Sequence, residues 1–326
     1  MARRNGGGSR VPRTIPLLLF RSPSAGQAAS RREQPGYIGD ILRPLEPVVS
    51  ELTLRLLILG AHPDDAEFHA GGLASIYRER GHEVKMVSMT DGSAGHHEKS
   101  REELAAVRRA EATAAASVIG AVYEVWDIPD GALTPTLEVR HRVIRAIRAF
   151  APDLVLTHRV YDYHPDHRAA GQAVQDASFL VRVPHVVPEV PALRREPVVA
   201  YLPDLFTRPY PFTPDVVLDV ADRVDTVAAM LACHRSQVFE WLPYLDGVLD
   251  QVPQDEADRL GWIRDWYRRC VRPRADRFRR ELVAAFGEVR GRAIEFAEVY
   301  EISPYAGPAS PERLKQLFPT GSLVAP

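Results

Sequence analysis

Lysine is nearly missing from this chain. Lys85, Lys99 and Lys315 are the only three among 326 residues, and arginine supplies the rest of the 41 basic side chains. With 43 acidic residues the formal net charge is −2, so neither sign dominates. That balance excludes the basic footprint of a nucleic-acid-binding protein and the polybasic patch that draws a chain to an anionic membrane. Cysteine is scarce as well. Cys233 and Cys270 stand alone, outside any Cys-x-x-Cys pair, which argues against a thiolate metal site and leaves two free thiols in a reducing cytoplasm as the expected state. No apolar run is long enough to span a bilayer, so no stable membrane anchor is expected.

What is present is ordinary for a soluble globular protein: 45% hydrophobic and 26% charged residues, enough to bury a sizeable core without staples. Residues 1–35 differ from the rest. Gly, Ser, Pro and Arg dominate there, which predicts a flexible N-terminal extension. Its apolar part, Ile15 to Phe20 with Pro16 inside, is shorter than the roughly 7–15 residues of a signal-peptide core. Residues 36–326 are expected to form a single α/β domain with a helical C-terminal elaboration.

From residue 52 strand-like and helix-like segments alternate. The run LRLLILGA (54–61) reads as a buried strand, AEFHAGGLASIYRER (66–80) as a helix, EVKMVSMT (83–90) as a strand. A helix over 101–120, a strand over 123–128, a helix over 136–150, a strand over 153–159 and a further helix follow. This rhythm predicts a Rossmann-like, mainly parallel sheet with helices on both faces. The region 184–215 is rich in proline, and the stretch VPHVVPEVPALRREP (183–197) with its four prolines reads as a surface excursion. VVAYLPD and DVVLDV read as later strands, and the remainder as helical with a loose tail. No Gly-x-Gly-x-x-Gly follows the first strand, which disfavours a dinucleotide oxidoreductase.

The chemistry gathers at two strand ends. His62-Pro63-Asp64-Asp65 follows the first strand, and His164-Pro165-Asp166-His167 follows the fourth. One copy would read as a polar turn capping a helix. Two copies at the carboxyl ends of strands, where an α/β sheet binds its ligands, point instead to a metal. Imidazole and carboxylate suit Zn²⁺, which in a catalytic site takes three protein ligands and keeps one position open. The i, i+3 spacing of His62 and Asp65 lets both face one ion, and His167 is the natural third. Asp64, His164 and Asp166 are then left for proton transfer, oxyanion contact and orientation of an imidazole. His96 and His97 read as a solvated loop pair, and His69 as a surface or supporting residue. Asp91 and Ser93 can contact substrate hydroxyls or make a turn. The stretch FEWLPYL (239–245) reads as packing, with a pocket wall or subunit contact as the alternative.

The motifs AHPDDAEFHAGG (61–72) and HPDHRAA (164–170) resemble the two signatures of the PIG-L / LmbE-like family of zinc-dependent N-deacetylases. The resemblance runs over about 54–240 and takes in TDGSAG (90–95), RRAEATAAASVIG (108–120), IPDG (128–131) and HRSQ (234–237). It implies His62, Asp65 and His167 as zinc ligands, and the choice of Asp65 over Asp64 rests mainly on it. It further implies Asp64 as general base and His164, oriented by Asp166, as oxyanion contact or acid. Arg108 and Asp130 would line a sugar pocket, with His234 nearby. The expected activity is metal-dependent removal of an N-acetyl group from a glucosamine-type sugar or glycoconjugate, in the cytoplasm, with Zn²⁺ and Fe²⁺ as the alternative metal. Amidase action on a thiol conjugate or antibiotic glycoside, and a non-catalytic binding module, are the rivals. The expected partner is a small-molecule substrate, not nucleic acid, with homo-oligomerisation left open.

Overall fold

Residues 53–324 are described in the computed structural model of the chain, and the extension expected over 1–35 lies outside them. The first strand, β1 (Arg55–Gly60), explains why its sequence is continuously apolar. Leu56 and Ile58 enter one core while Leu57 and Leu59 enter another on the opposite face. A strand covered on both sides needs apolar residues at every position.

The remaining strands are β2 (Glu83–Ser88), β3 (Val122–Val125), β4 (Leu154–Thr157), β5 (Val198–Tyr201), β6 (Val216–Asp219), β7 (Ala297–Ile302) and β8 (Ser322–Leu323). Together they form an eight-stranded sheet in the order β3-β2-β1-β4-β5-β7-β6-β8. The first five in that order run parallel, and β7, β6 and β8 pair antiparallel at the other side. Helices α1 (Asp65–Glu79), α2 (Arg101–Ile119), α3 (Leu137–Phe150) and α4 (Pro165–Ser178) connect the parallel strands. Side chains of α1 pack into the core on one face, those of α3 and α4 into the core on the other. Local chemistry fixes their ends: Ser100 and Glu103 form a capping box on α2, Gly120 closes it in the left-handed region at φ 69°, and Thr136 caps α3.

Beyond β6 lie α5 (Val224–Ala232), a π-helical turn over Ser236–Trp241, α6 (Leu242–Leu245) and the long α7 (Glu256–Arg277). Among the described residues no helix is long and apolar enough to cross a membrane. One expectation is corrected here. The C-terminal remainder is not simply helical, because 297–302 forms β7 and inserts between β5 and β6. Its sequence hides the strand by placing a glutamate on a core face. Glu298 is fully buried and accepts hydrogen bonds from Gly72 N (2.7 Å), Leu73 N (2.9 Å) and Tyr300 Oη (2.8 Å). Those two amides lie just past a kink in α1 at Ala70 (φ −141°, ψ 16°). The glutamate thus satisfies donors that the kinked helix leaves without ordinary partners.

Candidate metal and substrate site

The strand order reverses at β1, whose neighbours are β2 and β4, and the carboxyl ends of β1 and β4 flank the crevice expected at such a point. Both His-Pro-Asp motifs open there. A cavity of about 810 Å³ receives side chains from them and from the π-helical turn, α6 and α7.

Asp65 is the organising residue. It begins α1 yet folds back on β1, where its Oδ2 accepts from Ala61 N (2.9 Å), His62 N (2.7 Å) and His158 Nε2 (3.0 Å). Gly60 makes this possible, since a Cβ there would lie 2.8 Å from the Asp65 Cβ. Burial opposes ionisation of Asp65, but His167 and His158 overcome it and hold the carboxyl well below its ordinary range. Its Oδ1 turns toward His167 Nε2 at 3.6 Å.

His62 Nδ1 lies 3.2 Å from His167 Nε2 and 3.7 Å from Asp65 Oδ2. Two imidazole nitrogens and a carboxylate therefore converge. Behind them, the outer nitrogen of each ring faces carboxylates. His167 Nδ1 is 3.1 Å from Asp162, and His62 Nε2 is 3.2 Å from Asp130 and 3.4 Å from Asp166. His62 Nε2 is close to both acids but well aligned with neither, so it makes no proper hydrogen bond. Burial alone would lower the pKa of His62, but Asp130, Asp166 and Asp65 outweigh it and raise it to about 10. A carboxylate behind a ligating imidazole fixes the ring and raises its basicity. The donor set and its backing both fit a divalent ion, and three groups have ligand atoms close enough for one: His62 with His164 and His167, Asp65 with His158 and His167, and His62 with Asp130 and Asp166.

Asp64 sits beside this set with φ 118°, a left-handed conformation unusual for a residue with a Cβ. Such strain costs about 1–3 kcal/mol and persists where surroundings enforce it. Here the enforcement comes from Arg108, which is almost fully buried. Its guanidinium reaches Asp64 Oδ2 at 3.0 Å and Gln237 Oε1 at 2.6 Å, and also donates to the Pro63 carbonyl. Burial raises the pKa of Asp64, with Arg108 pulling the other way.

The other expected residues divide. Asp130 lines the cavity and accepts from Ala94 N at 3.1 Å. His164 caps α4 and stands edge-on to His62, ring centroids 4.5 Å apart. Its Nδ1 accepts from the backbone N–H of Asp166 at 3.2 Å, which places its own proton on Nε2. The Asp166 carboxylate goes elsewhere, to Gly131 N (2.7 Å) and Leu133 N (3.1 Å). Asp91 braces a loop, accepting from Ser93 N and Asp130 N at 3.0 Å each. His234 is fully buried behind the cavity wall, 2.9 Å from Glu67. The loop histidines are not a solvated pair. His96 lies 2.7 Å from Glu240, which also pairs with Lys99, and His97 stacks on Tyr244 at 3.9 Å.

Two site residues escaped the sequence reading. His158 stacks on His167 at 3.9 Å, and Asp162 backs the same ring. Both stand between the fourth strand and the second motif, so the position of a histidine at a strand end was the available signal. Gly171 allows the stack: a Cβ there would lie 2.4 Å from the His158 carbonyl oxygen. The aromatic stretch 239–245 does form a wall, through Trp241, Leu242 and Leu245.

Comparison with known proteins identifies the family and the fold. The family model described as PIG-L, GlcNAc-PI de-N-acetylase, matches residues 57–178. The diacetylchitobiose deacetylase of Thermococcus kodakarensis is 30% identical over 207 residues, covering 59% of this chain and 74% of that protein. The 4-oxalmesaconate hydratase of Pseudomonas putida is 28% identical over 196 residues, covering 58% and 76%. The crystal structure of N,N'-diacetylchitobiose deacetylase from Pyrococcus horikoshii shares the fold, with a TM-score of 0.59 at 22% identity over 77% of this chain and 84% of that one. The chain belongs to the PIG-L (LmbE-like) family.

Proposed function

We propose that this protein is a zinc-dependent N-deacetylase acting on a glucosamine-type sugar or glycoconjugate. The observation that carries the reading is the convergence of His62, Asp65 and His167, each ring backed by a carboxylate, beside an Asp64 held by Arg108. These three residues would hold the ion, for which Zn²⁺ is the assignment and Fe²⁺ suits the same donors. Once bound, such an ion supplies Lewis acidity, lowering the pKa of water and polarising a carbonyl oxygen.

The chain's own groups then do the following. Asp64 takes a proton from the attacking water, and its raised pKa makes it a better acceptor than an exposed aspartate. Arg108 keeps that carboxylate aimed. His164 donates its Nε2 proton as a hydrogen bond to the carbonyl oxygen as charge develops there. A C–O bond forms, the C–N bond breaks, and the proton held by Asp64 passes to the departing amine. Acetate and a free amino group result. Asp130, on the cavity wall, offers an acceptor to a sugar hydroxyl.

The second reading comes from the hydratase relative: the same base and ion could add water to an activated carbon–carbon double bond. Acetate release separates the two. Zinc-reloaded protein should liberate acetate from N-acetylglucosamine or one of its glycosides, and chelator-treated protein should not. Bound zinc with no acetate from any N-acetylated amine, but loss of absorbance from an unsaturated oxo acid, would replace the deacetylase reading with the hydratase one.

A further inference from the structure

Helix α7 brings to the cavity a cation that the proposed reaction does not use. Arg274 is 6% exposed and lines the cavity together with His69, Phe68 and Trp266. Its one hydrogen bond runs from Nη1 to the Ala297 carbonyl at 3.5 Å, the outer limit for such a bond, and it makes no ion pair among the described residues. Each of the other buried arginines has an acid or several carbonyl oxygens within normal hydrogen-bond distance. Arg108 is held by Asp64 and Gln237, and Arg159 forms a two-pronged pair with Asp204. Arg148 donates to the backbone carbonyls of the segment 180–190. Glu298 feels the charge of Arg274 but is committed to Gly72, Leu73 and Tyr300.

His69 adds a second orphan. Its Nδ1 is buried without a hydrogen-bond partner. It lies within electrostatic reach of the Arg274 guanidinium. The His69 ring lies 6.0 Å from His158, which stacks on His167. The orphan pair therefore sits one ring beyond the candidate metal ligands, in the same cavity.

A guanidinium removed from water without an acid is costly, and its planar fork matches carboxylate and phosphate oxygens. We propose that Arg274 and His69 form an anion subsite, which binds a carboxylate or phosphate group of the substrate while the scissile amide lies at the metal cluster. This deepens the deacetylase reading and rests on it for the amide. The anion belongs either to the acyl group or to the remainder of the substrate.

The test uses zinc-loaded full-length protein and Arg274→Met, with three substrates: N-acetylglucosamine, its 1-phosphate and N-succinylglucosamine. Arg274→Met should lower kcat/KM for one charged substrate by about tenfold or more relative to neutral N-acetylglucosamine. Arg274→Lys should restore part of that preference. Loss on the 1-phosphate places the anion on the sugar side, and loss on the succinyl compound places it on the acyl side. A ratio of charged to neutral rates unmoved for both would overturn the subsite. A binding readout keeps the result independent of deacetylation. Inorganic phosphate and succinate should raise the Tm of zinc-loaded wild type more than that of Arg274→Met, since zinc is present in both. Equal shifts would overturn the proposal even if no substrate is turned over. Should Arg274→Met not fold, His69→Leu serves in both assays with the same expected direction.

Discussion

Asp64 and His234 differ in kind, although both stand in motifs that suggest chemistry. Asp64 faces the cavity beside the candidate ligands and is held by Arg108. Asp64→Asn preserves shape and removes the base. It should retain zinc, measured by atomic absorption, while kcat falls by about 10²–10⁴-fold. An unchanged kcat would remove Asp64 from the mechanism. His234 is enclosed with Glu67, neither of them exposed. Burial would lower the pKa of His234, but the Glu67 carboxylate overcomes this and holds it up. Truncating one partner of a buried pair strands the other, at a cost of about 3–5 kcal/mol. His234→Ala should therefore show that loss in urea unfolding, and the double substitution with Glu67→Leu should recover much of it. A stable His234→Ala with a raised KM would instead make His234 a substrate contact acting through the wall.

At the scale of elements, the site depends on how closely a helix can approach a strand end. Helix α4 comes so near β4 that Gly171 touches the backbone of His158 and Arg159. That contact stacks His158 on His167 and aligns His167 with Asp65. A larger side chain at 171 must push the helix away. Gly171→Val should cost about 1–3 kcal/mol of stability by overpacking, and zinc affinity, measured by chelator competition, should fall with it. If stability drops while zinc affinity holds, the stack does not position His167. The proline-rich excursion divides by the same logic. Its first part is gathered by Arg148 on α3, whereas Leu202 to Phe206 return to line the cavity, with Asp204 gripped by Arg159.

Across the whole molecule, strand β7 supports the candidate site from a distance. Glu298 on β7 reaches through the core to the amides behind the kink of α1, the helix whose first residue is Asp65. Glu298→Ala should destabilise the fold by about 1–3 kcal/mol per stranded amide, read from the midpoint of urea unfolding. A near-neutral result would mean that the kink re-forms ordinary helical bonds on its own. Arg274 reaches the cavity from the same C-terminal part, which makes α7 part of the cavity wall although it lies far from both motifs in sequence.

The parallel half of the sheet was legible in the sequence because each unit is local. A continuous apolar run, a polar turn and an amphipathic helix specify one βαβ step, and the two His-Pro-Asp motifs marked the strand ends at which the cavity opens. Strand β7 was not legible, because its core-facing glutamate makes sense only against amides 225 and more residues away. The same holds for the roles of His158 and Asp162, the hidden position of His234, the docking of His96 and His97 on the aromatic wall, and the orphan cation Arg274. The sequence by itself determined the fold type and the identity of the chemical groups, since both follow from periodicity and spacing along a short stretch of chain. Tertiary structure decided which nitrogen faces which oxygen, which charges are paired and which are left free, because those depend on distances between elements that no local pattern encodes.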